Sequence, residues 1–328
     1  MARAWHLMSR PQGMPTHDNF ALKEVELPPI GDGAIRVRNR WVSVDPYMRG
    51  RMNDVKSYVP AFQVGEPMEG GALGEVVESK AEGFAPGDLV QHMAGWRDEA
   101  VLPARAVNKL PNLGVAPELF LGVLGVTGAT AYFGLLDVAK AKEGDIVFVS
   151  AAAGAVGSVV VQIAKAKGMT VIGSAGGSEK CEFVRSLGAD QVVDYKAAPI
   201  LRGLAGAAPD GIDVYFDNVG GDHLDAAMAL ARNNARFAIC GMIEGYNDTT
   251  PMSFRFIQRI IAARIRMQGF IILDYLPRMA EFYADMGAWL ASGAVKSRET
   301  VVEGLENVPY AFLGLFKGEN IGKMLVKL

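Results

Sequence analysis

The sequence predicts an α/β protein in which a small β-barrel precedes a doubly wound parallel sheet. The chain has 328 residues, enough for about two domains at roughly 150 residues each. Short alternating strands, separated by turns rich in glycine and proline, fill the first third. From about residue 119, strands alternate with helices, which is typical of βαβ units and therefore of a parallel sheet covered on both faces.

The barrel is predicted from a period-two pattern. Apolar and basic side chains alternate within residues 35–44, as in a half-buried strand. Further apolar runs at 73–77 and 89–92 are separated by turn residues. We therefore expect a small barrel of short strands in the first third of the chain.

The parallel sheet is predicted to contain strands at 145–150, 170–175, 191–195, 212–218, 236–240 and 266–272. Gly168 and Gly188 lie where a C′ glycine would end the first two helices, and Ser178 lies where an N-cap would begin the second. These local signals agree with one another.

The last part of the chain is predicted to return to the barrel. A helix near 276–290 precedes a second helix at 308–317 and an alternating strand at 323–328. The predicted domains are residues 1–118, residues 119–291, and a return segment, residues 292–328, that completes the first domain.

Composition and charge argue against several classes of protein. Half of the residues are hydrophobic and 21% are charged, as in soluble globular proteins. A net charge of −3 provides no positive field for nucleic acid or anionic lipid. Two cysteines are too few for a disulfide framework. The first residues contain no secretory apolar segment, so we expect a cytoplasmic protein. The uncharged windows at 119–136 and 146–164 are interrupted by glycines or by a strand–turn–helix pattern, so no membrane association is expected.

Residues 151–157 resemble a relaxed dinucleotide-binding turn between the first strand and first helix of the sheet. Gly154 would let the backbone approach a pyrophosphate, and Gly157 would let the helix pack closely on the strand. Ala155 and Val156 lie between them, where the helix N-terminus would face the phosphate charge. Ala152 replaces the usual first glycine, and a turn packed only for tightness is the alternative.

The next strand favours NADP over NAD. No acidic residue lies at its end, where an NAD site holds the ribose 2′-hydroxyl. Lys180 follows instead, in the first turn of the next helix, where its ammonium group could bind a 2′-phosphate. The alternatives are that Lys180 is a solvated lysine and that Glu179 reaches the ribose.

Five segments, taken together and in chain order, resemble one family. They are residues 43–49, 151–157, 215–221, 240–247 and 318–323. They are similar to the zinc-independent branch of the medium-chain dehydrogenase/reductase superfamily, which contains prostaglandin reductases, plant double-bond reductases and bacterial curcumin-reducing enzymes. The resemblance implies a GroES-like β-barrel catalytic domain, a Rossmann sheet of six parallel strands, NADPH as cofactor, and a homodimer.

The residues that zinc would need are missing from the sequence. Zinc-using relatives bind the catalytic ion through a cysteine, a histidine and an acid or second cysteine. Residues 44–46 read Val-Asp-Pro where the resemblance would place the cysteine, and residues 65–67 read Gly-Glu-Pro where it would place Gly-His-Glu. The four histidines show no metal-ligand spacing, so no metal is expected.

Without a Lewis acid, a conjugated carbonyl is the easier substrate, because the charge left by hydride addition to the β-carbon spreads into an enolate. We therefore predict an NADPH-dependent enzyme that reduces the C=C bond of α,β-unsaturated aldehydes and ketones. Quinone reduction on the same scaffold is one alternative. A catalytically idle NADPH-binding sensor or structural protein is another.

The resemblance also assigns roles to individual residues. The Tyr246 hydroxyl would donate to the enolate, together with the cofactor ribose, and Tyr47 would orient the substrate. Tyr195 would flank the 2′-phosphate with Lys180. The other implied cofactor contacts are Asn218, Cys240, Gly241, Met242, Phe270, Ile271, Ile272 and Asn320. Each has a plain alternative, since tyrosines often only pack and asparagines often cap turns.

Overall fold

The structure, a computed structural model, describes residues 1–328, and its backbone forms two compact units. The first comprises Met1–Leu121, Glu299–Asn320 and Met324–Leu328. The second comprises Gly122–Arg298 and Ile321–Lys323. No helix is both long enough and apolar enough to cross a membrane.

The strands in chain order are β1 (Ala2–Leu7), β2 (Phe20–Val25), β3 (Ala34–Ser43), β4 (Ala72–Ser79), β5 (Leu89–His92), β6 (Glu99–Pro103), β7 (Asn108–Lys109), β8 (Ile146–Val149), β9 (Thr170–Ala175), β10 (Gln191–Asp194), β11 (Ile212–Asp217), β12 (Ala231–Ile239), β13 (Arg266–Gly269), β14 (Glu299–Glu303) and β15 (Lys323–Lys327). The α-helices are α1 (Tyr47–Arg51), α2 (Val126–Phe133), α3 (Gly157–Ala166), α4 (Ser178–Ser186), α5 (Ile200–Ala207), α6 (Gly221–Ala229), α7 (Arg259–Ala262), α8 (Met279–Ser292) and α9 (Val308–Lys317).

The first unit is built on an antiparallel sheet in the order β14-β15-β3-β4-β5-β7, with β6 paired to β3. β1 and β2 form a separate antiparallel pair. The core of the first unit includes Met48 and Trp96, both fully buried, and the Trp96 ring lies 5.6 Å from that of Phe312. Because Met48 of α1 is inserted into this core, the position of Tyr47 beside it is fixed by packing.

The second unit contains six parallel strands in the order β10-β9-β8-β11-β12-β13. The chain reverses its direction of winding between β8 and β11, which creates a topological switch point where open α/β sheets bind ligands. Phe148, Tyr215 and Phe237 on the central strands are at most 1% exposed, as expected for strands covered on both faces. The predicted fold class is confirmed.

The C-terminal ends of two helices lie where the sequence predicts them, whereas the N-cap of one helix does not. Gly168 and Gly188 follow α3 and α4 with φ of +75° and +97°, as predicted for C′ positions. Ser178 is the first residue of α4 rather than its N-cap, which is Gly177. The chain enters α4 at a φ of +92°, a conformation that glycine adopts without strain.

Two strand boundaries differ from the predictions by more than two residues. β12 begins at Ala231 rather than at residue 236. Asn233 and Asn234, near its start, are exposed and carry no apolar pattern, so the sequence does not indicate a strand there. β13 ends at Gly269 instead of at residue 272. It is an edge strand paired along 266–269 with β12, and its ladder stops there.

Candidate cofactor and active site

The loop between β8 and α3 makes a tight backbone turn at the carboxyl edge of the parallel sheet. The Gly154 N–H donates to the Ala151 carbonyl at 2.9 Å, and Ala151 has a φ of +47°. A Cβ atom at position 157 would overlap the Ala151 carbonyl and would lie 2.9 Å from the Ala152 Cα. Glycine at 157 is therefore what lets α3 begin this close to the loop.

Ala152 stands where the dinucleotide-binding pattern usually has its first glycine. It is fully buried, and Gly173 of β9 lies opposite it. A Cβ atom at position 173 would lie 2.9 Å from the Ala152 Cβ and 2.6 Å from Cγ1 of Val184. The methyl group of Ala152 fits because the neighbouring strand has no side chain at this point.

The segment Ile321–Lys323 pairs with the same loop. The Gly322 N–H donates to the Ala153 carbonyl at 2.8 Å, and Gly322 and Gly154 form a parallel bridge. Asn320, which is predicted to contact the cofactor, immediately precedes this segment, is half-buried, and belongs to the first unit.

The β9–α4 turn is held to the end of β10 by one carboxylate. Asp194 Oδ1 accepts hydrogen bonds from the N–H groups of Gly177 at 3.0 Å and Lys196 at 2.9 Å. The Gly177 hydrogen bond is the largest of the effects that lower the pKa of Asp194. The carboxylate therefore fixes the backbone on which Tyr195 and Lys196 are carried.

Tyr195 and Lys196 lie across the turn at Gly176. A Cβ atom there would be 2.8 Å from the Tyr195 hydroxyl and 2.9 Å from Cε of Lys196. Lys180, in the first turn of α4, is half-buried; burial lowers its pKa, and the charge of Lys196 lowers it further. Two ammonium groups and a phenol at a helix N-terminus form an arrangement that fits a phosphate group.

His223 packs against Tyr195. The two rings are 5.2 Å apart and nearly perpendicular. Burial lowers the pKa of His223 to about 4, and neither ring nitrogen has a hydrogen-bond partner in the structure. At neutral pH, His223 is therefore an uncharged ring that supports Tyr195 by packing.

Asn218 lies at the switch point between β8 and β11. Its backbone N–H donates to Ser150 Oγ at 2.9 Å, and its side-chain amide donates to the Ser150 carbonyl at 2.8 Å. Beside it, Oδ1 of the fully buried Asp217 accepts from the Tyr215 hydroxyl at 2.7 Å and the Gly220 N–H at 2.8 Å. Burial raises the pKa of Asp217. These bonds fix the Asn218 backbone at the switch point.

The loop that carries Tyr246 begins at the end of β12. The N–H groups of Cys240 and Gly241 donate to the Asp217 carbonyl at 2.9 and 3.1 Å. The Tyr246 hydroxyl oxygen accepts from the Met242 N–H at 3.4 Å and lies 2.9 Å from where a Gly241 Cβ would be. The phenol is thus folded back over the start of its own loop. Burial raises the pKa of Cys240 to about 12, so its thiol is not a ready nucleophile.

Phe270, Ile271 and Ile272 lie beyond the end of β13. The Phe270 ring packs edge-to-face on Phe216 at 6.3 Å, over Gly134, where a Cβ would come within 2.5 Å of Cζ of Phe270. Ile271 and Ile272 are half-buried and lead into a 3₁₀ turn. The segment is anchored by its aromatic ring rather than by strand pairing.

Tyr47 belongs to the first unit, whereas the cofactor loop, Lys180 and Tyr246 belong to the second. It is the first residue of α1 and packs beside the apolar core of its unit. Burial is the main cause, and the Asp45 carboxylate the second, that raises the pKa of Tyr47. Its phenol is therefore protonated at ordinary pH.

Comparisons with known proteins identify the family. Residues 3–110 match a family model described as the N-terminal domain of oxidoreductase, and residues 155–292 match one described as zinc-binding dehydrogenase. The chain is 42% identical over 333 residues to the NADPH-dependent curcumin reductase of Escherichia coli (strain K12), covering 99% of this chain and 96% of that protein. It is 39% identical over 321 residues to a 2-alkenal reductase (NADP(+)-dependent) of Nicotiana tabacum, covering 96% and 94%.

The chain belongs to the medium-chain dehydrogenase/reductase family. Within it, the relatives place this reductase in the zinc-independent branch of NADP-dependent oxidoreductases, as the sequence predicts. The crystal structure of CurA from Vibrio vulnificus in complex with NADPH superimposes on it with a TM-score of 0.95 at 46% identity, covering 99% of this chain and 98% of that one.

The histidines and acids of this reductase do not gather around a common point. No group of three or more His, Cys, Asp or Glu side chains is placed where it could hold a metal ion. His6 Nδ1 is 2.7 Å from the Gly65 carbonyl, and His92 Nδ1 accepts the Ala94 N–H at 3.1 Å. Burial lowers the pKa of His92 to about 4, so it is a neutral, packed side chain.

Two residues near the reductase site were missed by sequence reasoning. Lys196 was overlooked although it directly follows Tyr195 at the end of the third strand of the sheet. Glu244, in the loop before Tyr246, carries a carboxylate that lies against the start of α6. Nothing in the local sequence signals either contact, because both partners are distant along the chain.

Proposed function

We propose that this protein uses NADPH to reduce the C=C bond of α,β-unsaturated aldehydes and ketones. The observation that carries the proposal is the presence, in one Rossmann unit, of the paired Lys180 and Lys196 at the β9–α4 turn and of the Tyr246 hydroxyl after β12. The substrate class is supported by the 2-alkenal reductase among the relatives, whose name specifies a conjugated C=C bond.

The residues present fit NADPH. Gly154, Ala155, Val156 and Gly157 would hold the pyrophosphate at the N-terminus of α3, a helix of ten residues. Lys180, Lys196 and Tyr195 would hold the 2′-phosphate through charge-assisted hydrogen bonds. The remaining proposed contacts, toward the ribose and nicotinamide, are Asn218, Cys240, Gly241, Met242, Tyr246, Phe270, Ile271, Ile272 and Asn320.

When bound, NADPH supplies a hydride to the β-carbon of the substrate. The Tyr246 hydroxyl would donate a hydrogen bond to the carbonyl oxygen, where negative charge develops as the enolate forms. Its oxygen accepts the Met242 N–H, which orients the phenol. Tyr47, protonated at ordinary pH, is the candidate for orienting the substrate.

Further parts of the proposal concern the organisation of the chain. Residues 1–118 and 292–328 would form the catalytic domain, and residues 119–291 the NADP-binding domain. The free cysteines, Cys181 and Cys240, support a reducing compartment such as the cytoplasm.

A homodimer is supported by β13, an edge strand paired on one side only. Nearby Leu273 and Leu276 are about half exposed, at 45% and 51%.

The test follows NADPH consumption with 2-alkenals, enones, quinones and saturated aldehydes, with and without a metal chelator. We expect turnover of the conjugated aldehydes and ketones and no effect of the chelator. Brisk reduction of saturated aldehydes with conjugated ones untouched would refute the proposal, as would a need for metal. Anaerobic assays separate quinone reduction, and any rapid turnover excludes an idle NADPH-binding protein. Sedimentation over a range of concentrations tests the homodimer, which a persistent monomer would contradict.

A further inference from the structure

The carboxylate of Glu244 occupies the place where a side chain at residue 221 would lie. Gly221 is the first residue of α6 and has a φ of +46°. A Cβ atom on it would overlap both carboxylate oxygens of Glu244. The backbone N–H of Asp222 also donates a hydrogen bond to this carboxylate. Glu244 therefore binds the N-terminus of α6 from a different loop, in the way that a capping side chain does.

The backbone around Glu244 is attached to the same place. The Glu244 N–H donates to the Val219 carbonyl at 3.1 Å, and the Ile243 N–H to the Asn218 carbonyl at 3.4 Å. One of these two backbone hydrogen bonds is long. The charged side chain of Glu244 adds a third attachment at the same place. The 3₁₀ turn Ile243–Gly245 is thereby joined to the β11–α6 loop.

Tyr246 directly follows this turn, and two of its hydrogen bonds are to the turn or to the residue before it. The Tyr246 N–H donates to the Ile243 carbonyl at 3.3 Å, and its hydroxyl accepts from the Met242 N–H at 3.4 Å. A shift of the turn would therefore shift the hydroxyl. A displacement of about 1 Å is enough to cost a large part of a positioned donor's effect.

The surroundings of Glu244 are acidic, so its carboxylate needs hydrogen-bond donors to remain at the N-terminus of α6. Asp222 on α6 and Asp217 on β11 both raise its pKa, after burial as the main cause. Arg255 binds Asp222 at 3.1 Å and so offsets part of that repulsion. A carboxylate would leave such a neighbourhood for solvent unless the N–H donors of α6 held it.

We propose that Glu244 is a positioning residue for Tyr246, holding the Ile243–Gly245 turn against the N-terminus of α6 so that the phenol stays at its catalytic position. The inference rests on the proposed role of Tyr246 as hydrogen-bond donor to the enolate. It adds a residue that acts on Tyr246 through the loop.

The first test compares Glu244→Ala with Glu244→Gln. Glutamine keeps an oxygen that can accept the Asp222 N–H, whereas alanine removes it. We expect kcat to fall about fivefold in the alanine variant, because losing a capping contact worth ~1 kcal/mol lowers the share of molecules with the turn in place by about that factor, with KM for NADPH unchanged. Glutamine should restore most of kcat. The control Glu182→Ala removes an exposed glutamate on α4 and should leave kcat unchanged.

A double-mutant cycle separates this inference from the proposed function. Tyr246→Phe alone tests the donor role, and wild-type kcat in that variant would defeat that role, whereas the substrate panel tests the proposed function itself. If Tyr246→Phe is impaired, adding Glu244→Ala should lower kcat no further, because the hydroxyl that Glu244 positions is already gone. Two results would overturn this inference without affecting the proposed function. One is a loss of kcat in the double variant equal to the product of the two single losses, and the other is full kcat in Glu244→Ala.

A second readout needs no turnover. Cys240 begins the same loop, and its labelling by a thiol reagent can be followed without cofactor in a Cys181→Ser background. We expect slow labelling in the parent and in Glu244→Gln, and labelling several times faster in Glu244→Ala. An unchanged rate in the alanine variant would show that the carboxylate does not hold the loop. Should the alanine variant fail to fold, Glu244→Asp, which is too short to reach α6, replaces it in both assays with the same expected losses.

Discussion

Removing the Lys180 ammonium group should weaken NADPH binding by about tenfold to a hundredfold. A charge-assisted hydrogen bond contributes ~1.5–3 kcal/mol, and each ~1.36 kcal/mol corresponds to one power of ten. Lys180 is half-buried, so its charge is screened less than that of a surface lysine. Lys196, whose charge lowers the pKa of Lys180 in the parent protein, remains in Lys180→Ala and can still bind the phosphate. We therefore expect the lower half of the range.

The assay is a direct titration of the protein with NADPH, NADH and 2′,5′-ADP. Lys180→Ala should lose affinity for NADPH and 2′,5′-ADP and bind NADH as before, because only the first two carry the 2′-phosphate. The double variant Lys180→Ala/Lys196→Ala should bind NADPH and NADH alike. Arg185→Ala, which removes a cation from the last turn of the same helix, is the matched control and should change neither affinity. Unchanged NADPH affinity in Lys180→Ala, or an equal loss for NADH, would refute the assignment.

Three other perturbations have defined outcomes. Tyr246→Phe should lower kcat by about two to three powers of ten, since one oxyanion-type donor contributes ~2.7–4 kcal/mol; single-turnover rates equal to the parent's would remove Tyr246 from the chemistry. Burial lowers the pKa of His92 and His223 from 6.5 to about 4, so both stay neutral in the folded protein while the unfolded chain takes up protons. The contribution of these two neutral histidines to the free energy of unfolding is fully present above pH 6.5 and is lost as the pH falls toward 4, by up to ~3 kcal/mol each. Urea unfolding across that range measures it, and a flat profile would contradict the burial argument. Gly173→Ala should destabilise the protein by ~1–3 kcal/mol, because the new methyl group meets the Ala152 Cβ at 2.9 Å; Ala152→Gly should recover part of that loss, and equal stabilities in thermal unfolding would exclude the contact.

The features that sequence predicted well are those set by neighbouring residues. β9 and α9 have the predicted bounds, and Gly168 and Gly188 end their helices as expected. Apolar periodicity and C′ glycines act within a few residues, so they can be interpreted without the fold. The polar start of β12 escaped prediction for the same reason, because Asn233 carries no apolar signal and only the ladder to β11 reveals the strand.

The features that sequence could not predict depend on register between distant segments. Ala152 appeared to weaken the dinucleotide-binding pattern, yet β8 and β9 pair so that Gly173 lies beside Val149 and leaves room for the alanine methyl group. No local pattern specifies that pairing. Lys196 was likewise missed because its proximity to Lys180 depends on how the end of β10 is held against the β9–α4 turn through Asp194.

The distribution of acids around the switch point explains why the phenol, and not a carboxyl group, is the better candidate for the chemistry. Asp217 is fully buried, and its Oδ1 is already bound to Tyr215 and to the backbone of the β11–α6 loop. Glu244 lies over Gly221 at the start of α6. Both carboxyl groups thus act on N–H donors of the protein, which fixes the loops on either side of Asn218. An enolate oxygen repels carboxylates and requires a donor. The Tyr246 hydroxyl, held beside these loops by its contact with the Met242 N–H, would supply an O–H group without adding negative charge.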